Sequence, residues 1–285
     1  MGERNPTSNT TDGALLSIVQ VPSDLQQSEL AAALIEYAGL DEYAGRQGAK
    51  QVFLSGAPQI VALIPGDRRE AVTDGLSSLG ILAFAPTRDE LAAFHEPLLV
   101  KRMITDSRGG GPDRGFRLQM WRNQSDQRFA LKDVSVLVRG VLTSRRVRTQ
   151  RTREHTMGAS ALASGVSSGG SRRSASSRLT HMLDIYLRDG TRHRLNADKL
   201  SFDMLGKSKS YADSRNMDLL VRALRRLMPR AIVDERFGRF RLPPPLRDER
   251  ISMAGNSTVR TSSEAGAFDI YSPWIFLLYS YLPPA

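Results

Sequence analysis

The sequence predicts an α+β protein in which a small βααβαβ sandwich precedes an antiparallel-sheet domain closed by one amphipathic helix. Three observations lead to this fold class. Strand and helix patterns alternate within residues 14–104, runs with a period of two residues dominate residues 115–240, and apolar residues recur at helical spacing in Asp213–Met228. A chain of 285 residues can hold two cores. We therefore predict an interaction domain at 14–104 and a basic domain at 115–240, after a disordered terminus at 1–13.

The first domain is predicted from short apolar runs that glycines and prolines separate. Leu15–Val21 is apolar and β-rich, as strands are. Two helical segments follow, "SDLQQSELAAALIEYAG" and "DEYAGRQGAKQV", and Gly39 ends the first of them. A strand at Pro58–Pro65, the helix "RREAVTDGLSSLG" ending at Gly80, and the strand "ILAFAP" complete the order β-α-α-β-α-β.

This order resembles the C-terminal domain of the large-subunit ribosomal stalk protein and the related Clp protease adaptor. The matching residues are Gly39-Leu40, Ala44, Pro58-Gln59-Ile60-Val61, Ala71 and Leu79-Gly80. Both families use the domain to hold another protein, so the resemblance implies an interaction module. The stalk surface is rich in lysine around its second helix, whereas the matching segment here offers only Arg46 and Lys50 beside two acidic residues.

The second domain is predicted from alternating strands and one amphipathic helix. Phe116–Trp121 alternates, and so do the valines of "DVSVLVRGVLTSR". Asp189-Gly190 between two β-rich runs is a strong hairpin signal. The helix at about Asp213–Met228 carries an apolar stripe, and Pro229 ends it. Over Phe116–Phe237 this arrangement resembles the pleckstrin-homology superfold in its bacterial forms, which implies binding of a protein segment or a lipid headgroup.

An arginine- and serine-rich insertion interrupts the second domain at residues 149–177. It contains few apolar residues, no aromatic residue, and the linker-like run "GASALASGVSSGGS", a composition typical of disorder. Three interpretations stay open: an inert disordered loop, a mobile cationic loop that binds polyanions, and a loop that docks on the acidic first domain. Since no aromatic side chain is available to stack on bases, any nucleic-acid binding would be directed at the backbone.

The charge of the chain is unevenly distributed, which points to an anionic partner. The net charge is +10, yet residues 1–100 hold 6 Lys and Arg against 13 Asp and Glu, and Arg145–Arg178 holds eight arginines and one glutamate. Such asymmetry is typical of proteins that bind nucleic acid, anionic lipid or acidic protein. The predicted polyanion-binding residues are Arg145, Arg146, Arg148, Arg151, Arg153, Arg172, Arg173, Arg222, Arg225 and Arg226.

The C-terminal part is predicted to be a linker at 241–266 and an aromatic segment at 267–285. The linker is rich in proline and then in serine and threonine. The aromatic segment either packs on the body of the protein, because an exposed apolar run is an aggregation hazard, or is a tethered peptide that inserts into a partner or into the membrane interface. If the segment inserts into a partner, Trp274, Phe276 and Tyr279 are the predicted partner-binding residues.

The residue types needed for common catalytic and metal sites are absent or poorly spaced. The chain has no cysteine, and its four histidines show no metal-ligand spacing. No glycine-rich run has the context of a phosphate loop, and no apolar run approaches the length of a membrane span. We therefore expect a cytoplasmic protein without cofactor or metal. The predicted function is a non-enzymatic adaptor or scaffold that binds other proteins; the alternative is a polyanion-binding protein for nucleic acid or anionic lipid.

Overall fold

The computed structural model describes residues 13–56, 58–94, 96–106, 115–121, 125–152, 170–243, 249–254 and 257–282. Within them the chain forms a small antiparallel sheet, a larger mixed sheet and several helices, so the α+β fold class is confirmed. The predicted disordered residues 1–12 lie outside the described residues, and Gly13 already belongs to the first strand.

The first unit has the predicted βααβαβ order. Its elements are β1 (Gly13–Gln20), α1 (Gln27–Ala38), α2 (Glu42–Ser55), β2 (Gln59–Pro65), α3 (Arg69–Ser78) and β3 (Leu82–Phe84). Gly39 ends α1 with a φ of 68°, in the left-handed region that favours glycine. Asp41 caps α2 by accepting a hydrogen bond of 2.7 Å from the backbone N–H of Ala44.

The sheet of the first unit has the strand order β2-β1-β3 and is buried on both faces. One face packs on the three helices through a core that includes Leu16, Leu34 and Leu76. The opposite face contributes Leu15 and Ile60 to a second core, which also contains side chains of the C-terminal helix. The first unit is therefore joined to the rest of the molecule through packed apolar side chains.

The larger sheet contains the remaining strands in the order β11-β12-β7-β8-β9-β4-β5-β6, with β10 beside β7. After the short helix α4 (Arg88–Ala92), the elements are β4 (Leu98–Asp106), β5 (Gly115–Met120), β6 (Gln127–Ala130), β7 (Val134–Thr152), β8 (Gly170–Leu187), β9 (Arg192–Asn196), α5 (Asp213–Leu227), β10 (Ile232–Asp234), β11 (Glu249–Ala254), β12 (Ser257–Ser263) and α6 (Ala265–Tyr281). The α5 helix covers one face of this sheet and α6 covers the other.

The predicted boundary after residue 104 is wrong, because β4 belongs to the larger sheet. It pairs antiparallel with β5 and parallel with β9. Val100 and Met103 of β4 are buried in the core beneath α5. The change from the first unit to the larger sheet therefore precedes Leu98.

The predicted linker at 241–266 contains two strands. β11 and β12 form a hairpin, and β12 pairs with β7 from Ser257 opposite Gln150 to Ser263 opposite Ser144. A serine- and threonine-rich segment can form a strand when a neighbouring strand satisfies its backbone hydrogen bonds. Here the long strand β7 supplies that neighbour.

The predicted disordered insertion at 149–177 is partly strand. β7 continues to Thr152 and β8 begins at Gly170, and the two remain paired over this whole length. Residues 153–169 lie outside the described residues. The described part of the predicted insertion is therefore paired strand, since β7 pairs with β8 up to Thr152 and with β12 up to Gln150.

The aromatic segment predicted at 267–285 forms most of α6 and packs on the body of the protein. Trp274 is fully buried and Phe276 is 6% exposed. Tyr271 and Trp274 pack against Phe240, with ring centroids 4.6 Å and 5.7 Å from its ring. The alternative of a tethered peptide is therefore wrong, because burial removes these apolar rings from water and from any partner.

Candidate functional site

A groove on the first unit begins with one face of α2. Gly45, Gly48 and Ala49 are on the face that packs inward, where small residues allow close approach. The opposite face carries Tyr43, Gln47, Gln51 and Leu54, which are four or three residues apart and therefore neighbours on the helix surface. Tyr43 is 74% exposed and Leu54 is 76% exposed, so this helix face presents apolar surface to solvent.

The second wall of the groove comes from Gly238–Pro243, far along the chain. The space between this segment and α2 has a volume of about 1040 Å³, at the upper end of the range for ligand pockets. Gln51 connects the two walls, because its Nε2 donates to the backbone oxygen of Arg241 at 3.0 Å and to Oε1 of Gln59 at 2.9 Å.

The floor of the groove is the free edge of β2. Val61, Ala62 and Leu63 all line the groove, although consecutive side chains of a strand point to opposite faces. A cavity that contacts all three must therefore run along the edge of the strand. Among the described residues β2 pairs only with β1, on its other edge. The backbone groups on the groove side of β2 are thus open to a partner strand.

The groove is cationic although the first unit is acidic. Three exposed cations line it, Lys50, Arg239 and Arg241, and none of its described lining residues is Asp or Glu. Lys50 and Arg239 have no ion pair with any described residue. Arg241 donates to backbone oxygens of its own segment, those of Gly238 and Phe240. An anionic ligand would therefore find unsatisfied positive charge in this groove.

Only part of this groove follows from the sequence. The resemblance drew attention to α2, but Arg46 and Lys50 were noted only as a sparse match to the lysine-rich stalk surface and were not predicted to form a site. Lys50 lines the groove, whereas Arg46 is paired with Glu42 at 2.5 Å and is not among the lining residues. The second wall was not predicted, because Gly238–Pro243 follows α5 and β10 in the chain and is far from α2 in sequence. The only sequence signal for it is the stiff run "RLPPP", which we assigned to a linker.

The predicted polyanion-binding arginines do not form one cluster. Those with described side chains in the strands, Arg145, Arg146, Arg148 and Arg173, are exposed. Arg151 and Arg172 belong to β7 and β8, and Arg153 lies outside the described residues. The remaining three are exposed on α5: Arg222, Arg225 and Arg226. Arg225 donates a hydrogen bond of 2.9 Å to Glu235.

A buried charge cluster, which sequence reasoning did not identify, holds α6 against the sheet. Asp184 of β8 is fully buried. Its Oδ2 accepts from Nε and Nη2 of Arg192 at 2.8 and 2.6 Å, and its Oδ1 accepts from Nε of Arg194 at 2.8 Å. From α6, Ser272 donates to the same carboxylate at 2.6 Å, and Asp269 accepts from Arg194 at 2.5 Å.

The electrostatics of this cluster follow from burial and pairing. Burial raises the pKa of Asp184, while the charge of Arg194 and the hydrogen bond from Ser272 act in the opposite direction. Burial by itself would lower the pKa of Arg194, but the charges of Asp184 and Asp269 raise it. The polar atoms of the cluster are occupied by one another, so its evident role is to orient α6.

A second buried cluster holds the other side of α6. Tyr271 donates to Oδ1 of Asp234 at 2.5 Å, and Arg236 donates to Oδ2 of the same carboxylate at 2.8 Å. Arg236 also donates to the hydroxyl oxygen of Tyr279 at 2.7 Å. Burial, then the charge of Asp234, raises the pKa of Tyr271, so this hydroxyl stays protonated. The hydroxyl of Tyr279, a residue predicted to bind another protein, is therefore bonded to Arg236 of the same chain.

The described residues contain no group of three side chains able to hold a metal ion. Nor does any described helix combine the length and the apolar character that crossing a membrane requires. The chain matches no protein-family model, no curated protein and no solved structure, so the resemblances to the stalk and pleckstrin-homology folds stay predictions.

Proposed function

We propose that the protein is a non-enzymatic adaptor that binds an extended, acidic segment of another protein along the free edge of β2. The observation that carries this proposal is the groove itself, which exposes an unpaired strand edge between two walls. Addition of a peptide strand to a sheet edge is a recurring mode of recognition, in which backbone hydrogen bonds supply affinity and alternate side chains supply specificity.

The chemistry of the walls selects the partner. Lys50 and Arg239 favour carboxylates, and the exposed side chains of Tyr43 and Leu54 favour apolar residues between them. An extended peptide presents alternate side chains to opposite walls. The expected ligand is therefore a short segment that presents acidic residues to both walls and apolar residues to α2.

The adaptor role predicted from the sequence is thus kept, with a different binding element. The aromatic segment of α6 is buried, so the groove on the first unit is proposed as the binding element instead. The acidic surroundings of the groove would repel acidic segments that do not enter it, which adds specificity to affinity.

Selection from a library of random octapeptides, followed by titration of the selected peptides, tests the proposal. We expect enrichment of Asp and Glu together with apolar residues in the selected peptides. Leu54→Glu and Lys50→Glu should each weaken binding about tenfold or more, because each places a negative charge beside the acidic ligand. A factor of ten corresponds to about 1.4 kcal/mol. The matched control is Leu79→Glu, which adds the same charge at a leucine that is 42% exposed and is not among the lining residues.

Backbone methylation of a selected peptide tests the strand geometry directly. In an added edge strand, the N–H groups of alternate residues point to the receiving strand and the others point away. Methylation at one set of alternate positions should abolish binding, and methylation at the other set should have little effect. The proposal would be contradicted if methylation had the same effect at every position of the peptide. It would also be contradicted if the selected peptides bound the Leu54→Glu variant as tightly as the wild-type protein.

A further inference from the structure

The long strands β7 and β8 project a basic β-ribbon whose two faces differ in chemistry. The ribbon is defined here as residues 144–152 and 170–178 together with β11 and β12. Its strands remain in continuous register, because the only shift between β7 and β8 lies between Val134 and Val136. Side chains at even and odd positions of β7 therefore alternate between the two faces up to the end of the described side chains.

Two contacts near the base of the ribbon identify the faces. Arg139, at an odd position of β7, forms an ion pair with Asp218 of α5, so odd positions are on the α5 side. Val138 and Leu142, at even positions, pack in the core that contains α6. Arg146 and Arg148 are therefore on the α6 side of the ribbon, and Arg145 is on the α5 side.

The α6 side of the ribbon combines arginine with hydroxyl groups. Directly opposite Arg146 are Ser176 of β8 and Thr261 of β12, and directly opposite Arg148 is Ser174. Residues that are directly opposite share a face. All five side chains are exposed. The two arginines and the three hydroxyl side chains beside them thus form an exposed surface of cationic and neutral hydrogen-bond donors.

The α5 side of the ribbon is less polar. Between Arg145 of β7 and Arg173 of β8 lie Val147 and Ala175, which are opposite one another in the register. Leu179, 61% exposed, belongs to the same side because it is opposite Thr143. On this face too, hydroxyl groups lie opposite the arginines, Ser177 opposite Arg145 and Thr149 opposite Arg173. The difference is the apolar pair between the cations, and this face serves as an internal comparison.

Arg146 and Arg148 have no internal anion. Neither forms an ion pair or a side-chain hydrogen bond with any described residue. The next arginine on this face, Arg178, is neutralised by Asp198 at 2.7 Å. Two residues along a strand span about 6.7 Å, so the two free guanidinium groups repel one another. An external anion with charges at comparable spacing would relieve that repulsion.

From this arrangement we propose that the α6 side of the ribbon binds the phosphate backbone of double-stranded nucleic acid through Arg146 and Arg148, with Ser174, Ser176 and Thr261 as neutral donors. Arginine, serine and threonine are the side chains that commonly contact phosphate oxygens, and such contacts position a protein without reading sequence. The ribbon contains no Phe, Tyr or Trp. Because single-strand binding relies on aromatic stacking, the chemistry favours a duplex and a binding mode with little sequence preference.

Fluorescence anisotropy of a labelled 20-base-pair DNA duplex of random sequence, titrated across a salt series, tests this proposal. The key variant is Arg146→Gln with Arg148→Gln. If each arginine neutralises one phosphate, the slope of log K against log salt should become shallower by about 1.8, since each contact contributes about 0.9. Arg146→Lys with Arg148→Lys keeps both charges and should keep most of the slope.

The matched control is Arg145→Gln with Arg173→Gln, which removes the same charge from the same two strands on the opposite face. The expected change in its slope is about 0.5 or less, the residual effect of long-range attraction. Equal changes in the two double variants would overturn the assignment to the α6 side. Failure of the wild-type protein to bind the duplex at low salt would overturn the proposal, as would binding confined to phosphatidylserine vesicles. Peptide binding in the groove is measured separately, so either result stands without the other.

Discussion

The arginines around α6 and the arginines of the ribbon belong to the same sheet, yet their environments are opposite. Arg192 and Arg194 are 5% and 7% exposed, and each donates to the buried carboxylate of Asp184. Arg146 and Arg148 are exposed and have no anionic partner among the described residues. Burial of a charge is tolerated only when a partner comes with it. The comparison therefore teaches that paired arginines here maintain the fold, while unpaired ones are available for binding.

The largest expected effect is on the buried side of this comparison. Asp184→Ala would leave two guanidinium groups buried without their main acceptor. We expect the free energy of unfolding to fall by about 3–5 kcal/mol, the usual cost of breaking a buried ion pair from one side. Urea denaturation followed by circular dichroism measures this loss.

Asp198→Ala provides the matched control for that variant. Asp198 pairs with Arg178, whose side chain is 70% exposed, so water replaces the lost partner. The expected loss is about 1 kcal/mol or less. If the two aspartate variants lost equal stability, burial would not be the property that separates the two sets of arginines.

An intermediate effect is expected from His193, which lies in β9 between the two buried arginines of the first cluster. Burial lowers its pKa from 6.5 to about 4, although the charge of Asp189 acts in the opposite direction. Between these values the unfolded chain binds more protons than the folded chain. The free energy of unfolding should therefore fall as the pH drops from about 6.5 to about 4, by up to about 3 kcal/mol.

Comparison with His193→Phe isolates this contribution from the other titrating groups. Phenylalanine can keep the ring stacking on Phe129, whose centroid is 5.7 Å from that of the histidine, but it cannot bind a proton. Denaturation curves at a series of pH values should diverge between the two proteins below about pH 6.5. Parallel pH dependence would show that His193 is not buried in its neutral form.

The smallest effect is expected on the exposed side of the comparison. Arg146→Gln with Arg148→Gln should change the free energy of unfolding by about 0.5 kcal/mol or less, because exposed side chains without partners contribute little to stability. The same denaturation experiment measures it. A loss above about 1 kcal/mol would mean that these arginines also have a structural partner, and it would weaken the argument that they are free to bind a ligand.

Local signals in the sequence predicted the elements that depend on local interactions. Gly80 and Gly190 adopt φ angles of 73° and 87°, as expected for the end of a helix and for a hairpin turn. The apolar stripe of α5 is buried at Met217, Leu220 and Leu224. These predictions succeeded because capping, turn chemistry and helical spacing act between residues a few positions apart.

Elements whose hydrogen-bond partners are distant in the chain were missed. The strand β12 looked like a linker, since nothing in "STVRTSS" shows that β7 will pair with it. The extension of β7 to Thr152 likewise depends on a distant segment, because there β7 pairs with β8 as far as Gly170 opposite Thr152. The second wall of the groove, Gly238–Pro243, became visible only when tertiary packing placed it opposite α2.

By itself the sequence determined the α+β class, the order of the first six elements, the concentration of arginine after residue 144 and the need to cover the aromatic segment. Each of these depends on composition or on short-range periodicity. The tertiary structure alone decided which arginines are buried with a carboxylate, which face of the ribbon Arg146 and Arg148 occupy, and where the edge of β2 stays open. The physical reason is that partner, burial and strand register are properties of residues far apart in the chain, and they exist only after the chain has folded.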